Sequence, residues 1–196
     1  MSAPAMTTLH PDGLAHLARL RAPLDALQAD GGQIDAWGEQ LGSVLAAGGR
    51  LLVCGNGGSA AQAQHLAAEL VGRYDGERRP LSAIALVADP STITALANDY
   101  PATELFARQV AAHGRPGDVL LALSTSGRSP NVVAAIDEAA RRGLVPWSLT
   151  GPGPNPAADA AASSYCVDGA STATVQEVHQ VVIHLLCAAV DRVVRA

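Results

Sequence analysis

Two amphipathic stretches open the chain. Apolar residues recur at Leu14, Leu17, Leu20, Leu24 and Leu27, the three-to-four spacing of one helix face. A second helix is predicted over Ile34–Leu45, stopped at Ala47-Gly48-Gly49. Beyond Gly49 short continuous apolar runs alternate with helical patterns. Leu51–Cys54, Ala83–Val87, Val119–Leu123, Leu144–Leu149 and Tyr165–Val167 read as strands. Helices are predicted over Ser59–Val71, Thr92–Ala97, Glu104–Ala112, Asn131–Arg142 and Thr174–Val194, with a turn at Gly114–Gly117 and a loop at Gly151–Pro156. Strands that are apolar throughout belong to a parallel sheet covered on both faces, so the chain reads as one α/β domain with an N-terminal helical extension. Pro146 cannot donate to a ladder, so its strand is expected to be irregular there or unpaired on one side.

The last helix carries Val175, Val178, Val181, Val182, Ile183, Leu185, Leu186, Val190, Val193 and Val194, which leaves little polar face. Such a helix is expected to be buried on most sides, in part in a subunit interface, which implies a homo-oligomer with paired two-fold axes as the simplest case. No apolar run reaches the roughly 18 residues of a membrane span, and Met1–His10 lacks the pattern of a secretory leader. A cytoplasmic protein is expected.

Composition narrows the chemistry. The formal charge of −5 argues against nucleic-acid and anionic-membrane partners, and six aromatic residues are too few for a base-stacking platform. All 13 basic residues are Arg. Without lysine there is no Schiff-base aldolase, no pyridoxal-phosphate anchor and no Walker lysine, so backbone N–H groups, hydroxyls or arginines must hold any phosphate. Cys54, Cys166 and Cys187 lie in apolar stretches at unrelated spacings and are expected to be buried free thiols.

Two loops stand where strands hand over to helices. Gly55-Asn56-Gly57-Gly58-Ser59 lets a ligand approach the backbone closely, or is simply a tight turn. Ser124-Thr125-Ser126-Gly127-Arg128-Ser129 clusters hydroxyls and backbone donors suited to a phosphate; Ser129 before Pro130 also looks like a helix cap. Both loops end strands of one sheet, where open α/β sheets form their crevice. His65 and Glu69, four apart on one helix face, could hold a divalent metal or do acid–base work, or be a surface pair. His184 reads equally as a satisfied core histidine, and Asn98-Asp99 as a helix end.

In order, these pieces resemble the sugar isomerase (SIS) domain family. The matching text is Cys54–Ser59, His65–Tyr74, Ala97-Asn98-Asp99, Gly117–Leu121, Ser124–Ser129, Thr150-Gly151, Gln176–His179 and His184, from about Arg50 to Arg192. The resemblance implies a doubly wound five-stranded parallel sheet flanked by helices, with residues 1–49 as the helical extension, packing on the domain and in the oligomer, and 50–196 as the SIS domain. It also implies a homotetramer with active sites between subunits. The activity implied is aldose–ketose isomerisation of sedoheptulose 7-phosphate through an enediol, the first step of nucleotide-activated heptose synthesis. The resemblance puts the phosphate on Ser124, Thr125, Ser126 and Ser129. It puts the sugar near Asn56, Gly57, Gly58, Ser59, Asn98, Asp99 and Gln176, with Glu69 and His184 as the catalytic pair. His65, Glu69, Gln176 and His184 correspond to the ligands of one zinc ion per subunit.

Isomerisation needs a base to move a proton between C1 and C2 and an acid–base group to serve the two oxygens; Glu69 and His184 suit these roles. A carboxylate that also ligates zinc is a poorer base unless its second oxygen faces the substrate. Eight residues of helix separate Gln176 from His184 by about 12 Å along the axis, so either Gln176 lies at a frayed helix start or a neighbouring subunit completes the site. The chain reads Ala173-Thr174-Val175 where the family has an Asp-Arg-Ile-like run, which bears on substrate choice. The alternatives are a non-catalytic SIS protein that binds a replication initiator, and an isomerase of another sugar phosphate; the presence of Glu69 and His184 favours an enzyme.

Overall fold

The computed structural model describes residues 8–195; Met1–Thr7 and Ala196 lie outside it, and with them most of the Met1–His10 stretch and the start of the 1–49 extension. The order is α1 (Pro11–Asp30), α2 (Gly32–Ala46), β1 (Leu51–Gly55), α3 (Gly58–Val71), β2 (Ala83–Ala85), α4 (Pro90–Asp99), α5 (Glu104–His113), β3 (Val119–Ser124), α6 (Pro130–Arg141), β4 (Val145–Thr150), α7 (Pro156–Ala160), β5 (Ser163–Cys166) and α8 (Thr172–Val194). All strand pairs are parallel, in the order β2-β1-β3-β4-β5. The winding direction reverses between β1 and β3, the point at whose carboxyl end open α/β sheets form their ligand crevice.

Every residue of β1 and β3 is buried, as continuous apolar runs require, and alternate residues serve opposite faces. Leu51, Val53, Leu121 and Leu123 face a core completed by Leu41, Leu66, Val178 and Leu186 from α2, α3 and α8. Leu52, Cys54, Leu120 and Ala122 face one completed by Phe106, Val110, Ile136 and Ala157 from α5, α6 and α7. Trp37 of α2 stacks on Trp147 of β4, centroids 4.9 Å apart, and donates from Nε1 to Ser163 Oγ at 2.9 Å. A side chain at Gly38 would collide with Ala189, so this glycine lets α2 lie close against α8.

Several expectations need adjusting. β4 is regular through Pro146, whose register partner is Leu120 of β3, while on the β5 side, where pairing begins at Trp147↔Ser163, its carbonyl accepts from the Ala162 N–H at 2.9 Å. The Gly151–Pro156 loop runs into a short helix, α7, whose cap is Asn155 accepting from the Ala158 N–H at 3.0 Å. Cys54 and Cys187 are buried thiols as expected, whereas Cys166 is exposed, because it ends the edge strand β5. Burial pushes both Cys54 and Cys187 up to about 12, so neither offers a thiolate nucleophile near neutrality. α8 is long and apolar enough, averaged over a window, to cross a membrane, although polar residues interrupt every continuous run. More than half of that window is buried inside the chain, as in a core helix.

His179 of α8 is fully buried and bonds through Nε2 to the Thr150 carbonyl at the end of β4, 3.1 Å away. Burial lowers its pKa from 6.5 to about 4, against the pull of that carbonyl, which raises it. Between those values the unfolded chain binds a proton that the folded chain refuses. Stability is therefore lost as pH falls through the window, by about 3 kcal/mol from this residue. Urea midpoints measured at pH 7 and pH 4.5 are expected to drop more for the wild type than for His179→Gln.

Candidate active site

The crevice is lined by the loops that leave β1 and β3. After β1, Gly57 adopts φ +55° and opens α3; a side chain at Gly58 would run into the Gln176 carboxamide, so α8 packs its second turn directly on the glycine loop. Gln62, on the second turn of α3, donates to the Gln176 carbonyl at 2.7 Å and holds the two helices together near their starts.

After β3 the hydroxyl loop folds back on itself. The Gly127 N–H is shared between the Ser124 carbonyl and Oγ, both 3.1 Å away, and the Arg128 N–H donates to Ser126 Oγ at 3.2 Å. Gly127 has φ +60°, and a side chain there would strike Asn155, so the loop is pressed onto the cap of α7. Ser129 occupies the cap position of α6, but its hydroxyl makes no capping bond; it turns to Ser124 Oγ, 3.3 Å away. Hydroxyls thus cluster at a helix start, a place suited to an anion with no lysine required.

α3 and α8 cross beside this crevice. His65 and Glu69 share one face of α3, and His184 lies opposite on α8. His65 Nε2 is 3.1 Å from His184 Nε2 and 3.4 Å from Glu69 Oε1, and the His184 ring stands against Tyr74, centroids 5.6 Å apart. His65 therefore links a carboxylate on its own helix to an imidazole far away in sequence. Gln180, one turn before His184, places its amide nitrogen 3.1 Å from His184 Nε2. Sequence reasoning passed over Gln180, although its i, i+4 spacing to His184 was the signal that could have found it.

The donor set can be tested against zinc. Two imidazoles and a carboxylate are its usual ligands, and a tetrahedral site with bonds of 2.0–2.1 Å has ligand-to-ligand edges of about 3.3–3.4 Å. The 3.4 Å from His65 Nε2 to Glu69 Oε1 matches one such edge, and the 3.1 Å from His65 Nε2 to His184 Nε2 is shorter. Among the described residues no three His, Cys, Asp or Glu side chains close around one point: His65 stands between the other two. His65, Glu69 and His184 are of the donor types that zinc takes, with His65 the member shared by both close pairs. Gln176 lies at the glycine loop, in the second turn of an unbroken α8 rather than at a frayed end.

Not every candidate gathers here. Asn98 and Asp99 end α4 and bond to each other, Nδ2 to Oδ1 at 2.7 Å, with none of the other site residues as partner. No residue of α4 is fully buried; within one chain the helix touches the core through the partly buried Ile93. The groove of about 510 Å³ between α5 and α6, lined by Glu104, Arg108, Asp137 and Arg141 among others, shares no residue with the crevice.

Comparison with known proteins matches residues 16–151 to the SIS domain family. The chain is 55% identical over 184 residues to phosphoheptose isomerase of Streptomyces coelicolor, covering 94% of this chain and 80% of the relative. The corresponding enzyme of Thiobacillus denitrificans is 46% identical over 187 residues, 93% and 95% of the two chains. The chain belongs to the phosphoheptose isomerases of the SIS domain family. The structure of phosphoheptose isomerase from Neisseria gonorrhoeae superposes with a TM-score of 0.85 at 37% identity, over 94% of this chain and all of that one. The Francisella tularensis structure gives 0.87 at 35% identity, over 95% and 100%. The five-stranded parallel sheet and its flanking helices are those of the family.

Proposed function

We propose that the chain converts sedoheptulose 7-phosphate into D-glycero-D-manno-heptose 7-phosphate, as an aldose–ketose isomerase. The observation that carries the chemistry is the pairing of His65 with both Glu69 and His184, in a chain whose hydroxyl loop can take a phosphate without lysine. Ser124, Thr125, Ser126 and Ser129 hold the phosphate and so fix the far end of the sugar. Glu69 takes the proton from C1 and returns it to C2 of the enediol, while His184 exchanges protons between the O1 and O2 oxygens, so that no net oxidation occurs. Asn56, Gly57, Gly58 and Ser59 orient the hydroxyls from the glycine loop.

His65, Glu69 and His184, with the Gln176 carboxamide as the amide donor, would hold one zinc per subunit. Bound there, zinc would polarise the two oxygens that change bond order. The Gln176 to His184 separation, the unburied α4 with Asn98 and Asp99, and the exposed Leu14, Leu17, Val181 and Leu185 support an assembly of several copies. On this reading it is a homotetramer in which neighbouring subunits complete each site. Three free cysteines, one of them exposed, suit a reducing cytoplasm.

The deciding experiment incubates the purified protein with sedoheptulose 7-phosphate and follows the aldose by NMR, with and without a chelator. Aldose formation that stops with chelator and returns on adding zinc is expected. Unchanged ketose would overturn the assignment, and turnover indifferent to chelator would remove the metal from it.

A further inference from the structure

The two loops that rim the crevice are tied to each other by a pair of side chains, only one of which has so far been given a role. Asn56 directly follows β1, and Asn131 is the second residue of α6, just beyond the hydroxyl loop. Asn56 Nδ2 donates to Asn131 Oδ1 at 3.0 Å, and Asn131 Nδ2 donates back to Asn56 Oδ1 at 2.9 Å. A reciprocal amide pair fixes the planes of both groups. It uses one of two N–H bonds and one of two lone pairs on each, so each amide keeps a donor and an acceptor free to face a ligand.

The two partners are not equally anchored. Asn131 sits in the first turn of a regular helix, whose Val132 and Val133 N–H groups bond to the Ser129 carbonyl at 3.0 and 3.1 Å. Asn56 sits in a loop, next to a glycine with φ +55°. The helix therefore holds the loop residue, not the reverse. The pair is exposed, where water competes for both groups, so its contribution to folding is small and its geometry is what it supplies. It spans the point where the winding of the sheet reverses, between the two loops expected to grip opposite ends of one ligand.

We infer that Asn131 is a positioning residue: it holds the Asn56 amide across the crevice, decides which N–H and which lone pair face the sugar, and keeps the glycine loop in register with the hydroxyl loop. This rests on the reading above, in which Asn56 contacts the sugar of a phosphorylated ketose.

The test is a double-mutant cycle on the full-length protein with sedoheptulose 7-phosphate as substrate. Asn131→Ala is expected to raise KM about tenfold while changing kcat less than about threefold, the signature of lost binding rather than lost chemistry. Adding Asn131→Ala to Asn56→Ala is expected to change nothing further, since a residue that acts through another has no effect once that other is gone. Competitive inhibition by inorganic phosphate, which probes the hydroxyl loop alone, is expected to match the wild type in Asn131→Ala. An unchanged KM, effects that multiply in the double variant, or a matching loss of phosphate inhibition would each overturn the inference while leaving the isomerase intact. A wild-type protein that leaves the ketose unconverted would instead remove the reading on which the inference rests.

Discussion

Glu69→Gln is expected to lower kcat for sedoheptulose 7-phosphate by about 10²–10⁴-fold, the usual worth of a general base, with little change in KM. Gln keeps the length of the side chain and an oxygen that can stand near His65 Nε2, where Glu69 Oε1 lies at 3.4 Å, so packing between α3 and α8 is preserved. What it removes is the basicity. The cleanest readout is solvent exchange: in D₂O the wild type should wash deuterium into C1 of the recovered ketose, and Glu69→Gln should not. His184→Ala should lose turnover comparably, because the proton traffic between O1 and O2 then lacks its carrier. Circular dichroism and the assembly size of both variants are expected to match the wild type. Turnover that survives in either variant would show that the meeting of these side chains serves packing and not catalysis.

Much of this was readable in the chain before any coordinates. β1 and β3 announce themselves because central parallel strands are apolar on both faces, and Leu51–Cys54 and Val119–Leu123 have no other way to be satisfied. The loops that follow them were visible for the same reason, since glycines and hydroxyls interrupt an apolar run abruptly. α7 was hidden because five residues rich in proline and alanine carry no periodicity; Asn155 before Pro156, a cap followed by a first-turn proline, was its trace. Cys166 looked interior because periodicity cannot tell an edge strand from a central one. Spacing on one helix pairs His65 with Glu69, but nothing in the sequence says which face of α8 meets α3. Hence His184 was placed by resemblance, while Gln180 and the Asn56–Asn131 pair, each joined by contacts of about hydrogen-bond length, emerged only from the packing.

Arg78→Met is expected to destabilise the fold by about 3–5 kcal/mol, a fifth or more of the stability of an ordinary domain. The reason is what one buried guanidinium does at the end of α3. Its Nε donates to Asp191 Oδ1 of α8 at 2.8 Å, and Nη1 donates to the carbonyls of Leu70, Gly72 and Arg79 at 2.9, 3.1 and 3.0 Å. Nη2 donates to the Glu69 carbonyl at 2.7 Å. Three of these acceptors are carbonyls at the C-terminus of α3, where the helix has no partner of its own and its dipole favours a cation. Methionine fills the volume but removes the donor of the Glu69, Gly72 and Arg79 carbonyls, the Leu70 carbonyl keeping the Leu81 N–H at 3.0 Å, and leaves Asp191 with Arg195 Nη2, at 2.7 Å, as its remaining side-chain cation. Lysine is not a substitute, since a point charge cannot span five acceptors that a planar fork can; Arg78→Lys should fall between the wild type and Arg78→Met. Because the Glu69 backbone hangs on the same group, kcat of Arg78→Lys should fall further than its folded fraction explains. Urea denaturation at neutral pH, paired with turnover well below the melting temperature, checks both halves. An Arg78→Met protein with an unaltered midpoint would mean that the carbonyls find water instead, and that the end of α3 is not held from within the chain.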